Sequence, residues 1–267
     1  MDGLAKYEGY KFIKESVTKV TDSLTIEQPL EININDKPFT VVMQTPGNEL
    51  ELSIGLLYAE NVLPADYIPN YQVQRDERNL INRINLEVNP DQLGNGYIST
   101  RSLLSVSSCG ICGKQSLEDL HVPTGNFPSN TKKVSIKTLR KMQEIFVENQ
   151  QLFKATGGCH GVAAFSYQQN LLAIHEDIGR HNALDKVVGQ LIIQQLITDA
   201  KILMFSGRVS YEIVSKAFRA KIPIIMAVSA PSSLAIDFAK EFGITILGFS
   251  RNSKTTVYAN PNRIDFK

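Results

Sequence analysis

Hydrophobic and polar residues alternate in the first third of the chain, a pattern typical of short strands that pack on one face. Leu30, Ile32 and Ile34 alternate with polar residues, and a returning strand follows the turn at residues 35–38. Asn48, a residue type that caps helix starts, precedes apolar residues at helical spacing. The expected elements are strands at 30–34, 39–43, 71–74 and 80–88 and a helix over 50–57. This order is compatible with a small α+β domain of the ubiquitin-roll type.

The second half predicts helices that alternate with strands. The strongest amphipathic helix has six apolar residues on one face, namely Ala183, Leu184, Val187, Val188, Leu191 and Ile192. The other elements are expected as helices near 139–146, 213–218 and 234–242 and strands at 162–165, 171–174, 201–205, 222–228 and 244–249. Because strands joined through helices need crossover connections, we expect a parallel or mixed sheet covered by helices.

Residues 122–133 are the best candidate for a linker, since they contain Pro, Gly, Ser and Asn without periodicity. We therefore expect a domain boundary near residue 130. Residues 1–130 would form the α+β domain, and residues 131–267 the α/β domain. A chain of 267 residues is long enough for two modest domains.

Composition excludes several classes of function. The net charge of +1 gives no indication of a nucleic-acid or membrane partner. No apolar run approaches the roughly 20 residues that span a bilayer, and the charges within residues 1–26 argue against a secretory signal. Three cysteines do not make a disulfide framework, so we expect a cytoplasmic protein with reduced thiols.

Two of the three cysteines lie in the sequence SSCGICGK at residues 107–114. Its glycines permit a tight turn, and the nearby Lys114 favours the reactive thiolate. The residues alone leave four readings open: half of a zinc site, a dithiol redox pair, a persulfide carrier, or no role. A structural zinc needs four ligands, and the adjacent Cys159 and His160 do not form the usual second pair. We therefore expect no intrinsic metal, while Cys159 is equally well explained as a small buried side chain.

Polar loops follow several predicted strands, at 176–182, 206–208, 229–233 and 250–254. In open α/β sheets ligands bind at the carboxyl ends of strands, where helix N-termini favour anions. Arg180, Arg208, Arg251 and Lys254 therefore predict a phosphate-bearing ligand, although the charges at 176–180 also fit a solvated helix start. Neither a Walker motif nor G-x-G-x-x-G is present.

These motifs together resemble the formate dehydrogenase accessory sulfurtransferase family, known as FdhD. The matching stretches occur in family order and span most of the chain, and the pairing of CGICGK with EDIGRHNALDK is specific. They are TPG at 45–47, SSCGICGK at 107–114, TGGCH at 156–160, EDIGRHNALDK at 176–186, SGR at 206–208, VSAP at 228–231 and GFSR at 248–251.

The resemblance implies a cytidine-deaminase-like fold for the second domain and a role in sulfur transfer. Sulfur would pass from a cysteine desulfurase, as a persulfide, to molybdenum (or tungsten) bis(pterin guanine dinucleotide) destined for the formate dehydrogenase apoprotein. The persulfide cysteine corresponds to Cys109, and Cys112 would protect or resolve the persulfide. A homodimer is also expected.

The resemblance also indicates where the guanine nucleotide or molybdopterin cofactor would bind. The cofactor segment corresponds to Phe249, Ser250, Arg251, Asn252, Ser253 and Lys254. Arg180, His181 and Arg208 are further candidates, and His160 is a weaker one. Many family members have cysteine at Ser250, and we would expect glycine and arginine within residues 252–254.

Two alternatives belong to other functional classes. Zinc-dependent deamination needs H-x-E followed by P-C-x-x-C. His175 is instead followed directly by Glu176, and the CxxC lies earlier without a proline, so this reading is poor. A zinc-stabilised binding module is the non-catalytic alternative.

Overall fold

The computed structural model describes residues 3–100, 127 and 132–267, without the side chains of 98–100. It opens with a hairpin of β1 (Leu4–Ile13) and β2 (Ser16–Thr25), which form a two-stranded antiparallel sheet of their own. Thr25 and Thr156 share a hydroxyl–hydroxyl hydrogen bond of 2.8 Å at its base. The sequence pattern did not predict this hairpin, because each of its faces carries a mixture of polar and apolar residues, most of them exposed.

The next elements form a four-stranded mixed sheet with one helix. They are β3 (Gln28–Ile34), β4 (Lys37–Gln44), α1 (Glu49–Ala59), β5 (Asn70–Arg75) and β6 (Ile81–Glu87). The strand order is β4-β3-β6-β5, with β3 and β6 parallel and the other pairs antiparallel. The predicted strand and helix order of this region is confirmed. A 3-10 turn (Pro90–Gln92) and α2 (Asn95–Thr100) follow.

Asn48 does not cap α1 in the expected way. Its backbone is left-handed, with φ of 65°, and its side chain makes no capping hydrogen bond. Glu49 Oε1 accepts a 2.8 Å hydrogen bond from the Gly47 amide, which fixes the turn that leads into the helix. The predicted helix start and the N-cap position of Asn48 are therefore confirmed, whereas the side-chain hydrogen bond typical of a cap is not formed.

The remaining chain builds a larger mixed sheet covered by helices. The elements of this part of the chain are β7 (Val134–Ser135), α3 (Ile136–Asn149), α4 (Gln151–Thr156), β8 (His160–Phe165), β9 (Leu171–Asp177), α5 (Arg180–Ile193), β10 (Ile202–Phe205), α6 (Tyr211–Arg219), β11 (Ile224–Ala227), α7 (Ser233–Phe242), β12 (Thr245–Arg251), β13 (Lys254–Ala259) and β14 (Ile264–Asp265). Strands β7 and β14 form a separate two-stranded parallel sheet. The large sheet has the order β13-β12-β11-β10-β8-β9. Strands β10, β11 and β12 are parallel, whereas β8, β9 and β13 pair antiparallel, so the predicted mixed sheet is confirmed.

The two faces of this sheet bury alternate residues of each strand. Ala163 and Phe165 of β8 pack with α3, whereas Val162 and Ala164 join the cluster that contains α5, α6 and α7. The cluster that contains α5, α6 and α7 also includes apolar residues of β3, β6 and α1. One continuous core therefore extends through both halves of the described chain. The ubiquitin-roll and cytidine-deaminase-like descriptions and the boundary near residue 130 remain predictions.

Helix α5 is buried on more than its apolar face, because α1 crosses it closely. A Cβ added at Gly189 would lie 1.8 Å from the Glu51 carbonyl oxygen, and one at Gly55 would lie 1.9 Å from the Asp185 carbonyl oxygen. Polar residues of α5, including Asp185 and Lys186, are buried in this way. On α7, Leu234 is the first apolar residue of the predicted helix over 234–242. It does not belong to the buried face of that helix, since it is 57% exposed.

We expect Gly189→Ala to lower the free energy of unfolding by roughly 1–3 kcal/mol, because a methyl group cannot fit against the α1 backbone without separating the helices. Denaturant unfolding measures this change. Gly9→Ala is the matched control, since an added Cβ there meets nothing within 4 Å. Equal stability of the two variants would show that the crossing relaxes without cost.

Candidate functional site

A buried ion pair fixes the segment that follows β9. Asp177, fully buried at the end of β9, accepts a 2.8 Å contact from Lys186 Nζ and a 3.0 Å hydrogen bond from the Thr45 amide, both through Oδ2. Lys186 Nζ also donates to the Thr45 carbonyl oxygen at 2.7 Å. The pair thus binds the Thr-Pro-Gly segment of the first half to α5 of the second.

The second carboxylate oxygen of Asp177 shapes the turn into α5. Oδ1 accepts hydrogen bonds from the Gly179 amide at 2.8 Å and from Asn182 Nδ2 at 3.0 Å. Asn182 Nδ2 also donates to the Met43 carbonyl oxygen at 2.7 Å. Because its charges have several partners, the buried pair avoids the cost of isolated charges. Helix α5 consequently begins at Arg180, close to the end of β9.

A cleft of about 530 Å³ opens beside this helix start. Its walls come from the loop between α4 and β8, the first residue of α5, and the loops that follow β10 and β11. The lining residues are Phe153, Gly157, Gly158, Cys159, His160, Arg180, Ser206, Gly207, Arg208 and Ser229. Three of the polar loops predicted to meet at the carboxyl ends of strands therefore do meet.

Two arginines bring positive charge to the cleft. Among the described residues, neither Arg180 nor Arg208 forms a salt bridge with a carboxylate. The Nε of Arg180 is buried and has no hydrogen-bond partner in the described part of the chain. The α5 N-terminus adds backbone N–H groups that lack helical partners and favour negative charge. The cleft is therefore suited to an anion.

His160 lies on the wall between these charges. Its imidazole has no hydrogen-bond partner within the residues that the structure describes, and a Cβ at Gly207 would lie 3.0 Å from its Nδ1. Burial lowers the pKa of His160, and the positive charges of Arg180 and Arg208 lower that pKa further, against a smaller opposing effect of Asp177. The imidazole is accordingly neutral at neutral pH.

Cys159 is a buried thiol, as one of the two sequence readings expected. Its Sγ donates to Glu176 Oε1 at 3.4 Å. Burial, followed by the negative charge of Glu176, raises the pKa of Cys159 to about 12. Glu176 also accepts hydrogen bonds from the backbone amides of Leu152 (2.7 Å) and Phe153 (2.8 Å), so it holds the start of α4 against β9. The thiol therefore stays protonated at neutral pH, which disfavours nucleophilic chemistry at Cys159.

The other predicted site residues occupy different surroundings. His181 is buried and faces α6, where its Nε2 lies 3.1 Å from Glu212 Oε2 and 3.2 Å from Ser210 Oγ. It is not among the residues that line the cleft. Cys109 and Cys112 lie outside the described residues.

The predicted cofactor segment spans the end of β12 and its turn into β13. Phe249 is exposed, has a left-handed φ of 52°, and donates its amide to the carbonyl oxygen of Ser229 on the cleft wall at 3.1 Å. Ser250 is fully buried and accepts a 2.8 Å hydrogen bond from the Thr255 hydroxyl, so its side chain cannot reach a ligand in the cleft.

The rest of this segment forms the turn itself. Asn252 and Ser253 have positive φ values, and the Ser253 carbonyl oxygen accepts a 2.6 Å hydrogen bond from Arg140 on α3. Arg251 and Lys254 pair across the turn and are exposed, outside the lining of the cleft. Sequence reasoning missed the contribution of α4, although the TGG stretch beside it was a visible marker.

Two further observations concern the described residues alone. No group of three or more His, Cys, Asp or Glu side chains among them could hold a metal ion. None of their helices is long and apolar enough to cross a membrane.

We expect Cys159 to react slowly with iodoacetamide in a Cys109→Ser, Cys112→Ser variant. Because its pKa is raised from 9.0 to about 12, the thiolate is about a thousandfold less populated at pH 8 than in an unperturbed cysteine. Adding Glu176→Gln should speed alkylation, since it removes the repelling charge. Intact mass against time measures both rates, with glutathione as the reference. Alkylation of the folded protein at the glutathione rate would contradict the buried, protonated thiol.

Comparisons with known proteins identify the family of the chain. The model of the FdhD/NarQ family matches residues 25–265. "Sulfur carrier protein FdhD" of Sulfolobus acidocaldarius is 39% identical over 260 residues, which cover 97% of this chain and 95% of that protein. The protein of the same name from Nocardia farcinica is 38% identical over 250 residues, covering 91% and 88%.

A solved structure has the same fold. It is that of a protein assigned as a formate dehydrogenase accessory protein of Desulfotalea psychrophila, with a TM-score of 0.76 and 22% identity. The match covers 98% of this chain and 100% of that one. The family match extends over the segments that build the ion pair, the cleft and the β12–β13 turn, and the chain therefore belongs to the FdhD/NarQ family.

Proposed function

We propose that this chain is a sulfur carrier that serves the maturation of formate dehydrogenase. Family membership and the names of the relatives support sulfur transfer as the general role. The observation in the structure that carries the proposal furthest is the cleft, with two arginines that have no carboxylate partner among the described residues. A carrier that delivers sulfur to an anionic cofactor needs a site of this kind.

The proposed donor is a cysteine desulfurase, and the first step is thiol exchange. The Cys109 thiolate attacks the outer sulfur of the desulfurase persulfide, the sulfur–sulfur bond of the donor breaks, and the desulfurase thiolate leaves. Cys109 then carries the persulfide. Attack of the Cys112 thiolate on the inner sulfur forms a Cys109–Cys112 disulfide and releases the outer sulfur as hydrosulfide. A cellular dithiol restores both thiols.

The proposed acceptor is molybdenum (or tungsten) bis(pterin guanine dinucleotide), which binds as a client. Its phosphates would lie between Arg180 and Arg208 at the N-terminus of α5, because charge-assisted hydrogen bonds to guanidinium groups are strong. Phe249 is placed beside the same cleft through its bond to Ser229. Arg251 and Lys254 would contact a more distant part of the client.

The same proposal includes the folds of the two domains, the cellular location and the oligomeric state. The parallel β3–β6 pair flanked by antiparallel strands supports a ubiquitin-roll assignment for the first domain. The order of helices and strands after residue 135 supports a cytidine-deaminase-like second domain. We further propose a cytoplasmic homodimer that acts on the formate dehydrogenase apoprotein.

Calorimetry with GDP, a fragment of the client, tests the cleft. We expect Arg208→Gln to weaken binding about tenfold or more, because one charge-assisted hydrogen bond to phosphate contributes roughly 1.5–3 kcal/mol. Arg78→Gln is the matched control, since Arg78 is an exposed arginine that pairs with Asp76 in a different loop. Arg251→Gln tests whether the β12–β13 turn contributes to GDP binding. Unchanged affinity in Arg208→Gln with loss in Arg251→Gln would move the phosphate site to the turn.

Sulfur loading tests the carrier chemistry. After incubation with a desulfurase and cysteine, we expect intact mass to show one added sulfur in wild type, Cys112→Ala and Cys159→Ala, and none in Cys109→Ala. Cys112→Ala should hold the sulfur longer because the resolving thiol is absent. Dehydrogenase activity in cells that lack the native protein should be lost with Cys109→Ala. Loading that survives in Cys109→Ala and disappears in Cys112→Ala would reverse the two roles.

A further inference from the structure

The cleft holds a third polar group whose charge is not fixed. His160 lies with Arg180 and Arg208 among the lining residues, and its ring has no hydrogen-bond partner in the described part of the chain. Gly207 allows this position, because any larger residue would place a Cβ 3.0 Å from Nδ1. The imidazole is thus available to a ligand that binds between the two arginines.

We propose that His160 is a direct ligand contact of the cleft and takes up a proton from water when a dianionic group binds between Arg180 and Arg208. This inference rests on the proposed function, since it concerns the same anion site. It makes the cleft selective for groups with two negative charges, such as the pyrophosphate bridge of a dinucleotide or a terminal phosphate. A phosphodiester has one negative charge and would gain less from the imidazolium.

The protonation state of His160 depends on every charged group that faces it. Arg180 on α5 and Arg208 after β10 disfavour the imidazolium, whereas Asp177 on β9 favours it. Asp177 is held by Lys186, so its effect is partly cancelled. Cys159 remains a neutral thiol, and Glu176 is bound to the start of α4. Burial disfavours the imidazolium most, and the two arginines supply the larger part of the charge effect. An anion that neutralises them reverses the balance of charge in favour of the imidazolium.

The sign of the pH dependence follows from this reversal. The pKa of His160 lies below 6.5 in the free protein and rises when a dianion occupies the cleft. Proton uptake on binding is then greatest between the free and bound pKa values. Affinity should rise as the pH falls through the bound pKa and should level off below the free pKa.

Sulfate is a suitable probe, since it remains a dianion across the working range and contributes no titration of its own. We expect its affinity to be about fivefold tighter at pH 5.5 than at pH 7.5, as a rise of about one unit in the pKa of one linked proton allows. In His160→Gln, which keeps a polar side chain of similar reach, the affinity should be the same at both pH values. Chloride at matched ionic strength corrects for screening.

Side-chain NMR of the wild-type protein gives a second readout that does not depend on the variant. The pKa of His160 should rise by about one unit in saturating sulfate, because an opposite charge nearby favours the imidazolium. His175 is the internal control, since it lies beside Lys186, away from the cleft lining.

The outcomes separate this inference from the proposed function. Sulfate binding with equal affinity at both pH values, or a pH dependence that persists in His160→Gln, would overturn the role of His160 and leave the anion site intact. Absence of binding by both sulfate and GDP would overturn the anion site as well.

Discussion

The structure depends on the buried pair of Asp177 and Lys186. Its partners are backbone groups of Thr45, which belongs to the first half of the chain. Removing one member would leave an uncompensated buried charge, at a cost of roughly 3–5 kcal/mol. The pair therefore attaches the Thr-Pro-Gly segment to α5. It also fixes the start of α5 at Arg180, and with it the position of the cleft wall.

The close crossing of α1 and α5 serves the same arrangement. Backbone contact at Gly55 and Gly189 brings the first half close enough for Met43 and Thr45 to reach the turn before α5. The strands that follow supply loops that meet this turn from the other side. The lining of the cleft consequently comes from the second half of the chain, while the first half supports the helix start that carries Arg180.

Sequence periodicity predicted most elements because one face of each is apolar, as in Leu30, Ile32 and Ile34 of β3. It missed the β1–β2 hairpin, whose residues show no consistent buried face. The convergence of Arg180 and Arg208 was also predictable, since loops at the carboxyl ends of neighbouring strands share one edge. The alternation along β12 could have shown that Ser250 faces inward when Phe249 faces outward.

The burial of polar residues on α5 could not be predicted from the sequence. The burial of Asn182, Asp185 and Lys186 depends on partners far away in sequence: Asn182 bonds Met43, Asp185 pairs with Lys216, and Lys186 bonds Thr45. A polar helix face looks solvent-exposed until the helix that covers it is placed. The neutral state of His160 likewise follows from burial and from two arginines that are distant in the sequence.

The shared core also determines which parts of the molecule unfold together during amide hydrogen exchange. Because α1 and α5 pack in one cluster and the Asp177–Lys186 pair joins the halves, their amides should exchange with solvent in a single cooperative unit. The hairpin of β1 and β2 belongs to a separate two-stranded sheet, and such ribbons are only marginally stable alone. Its amides would exchange through local opening at a much lower free energy. We therefore expect the two predicted domains to unfold as one cooperative unit, with the least protected amides of the described chain in the β1–β2 hairpin.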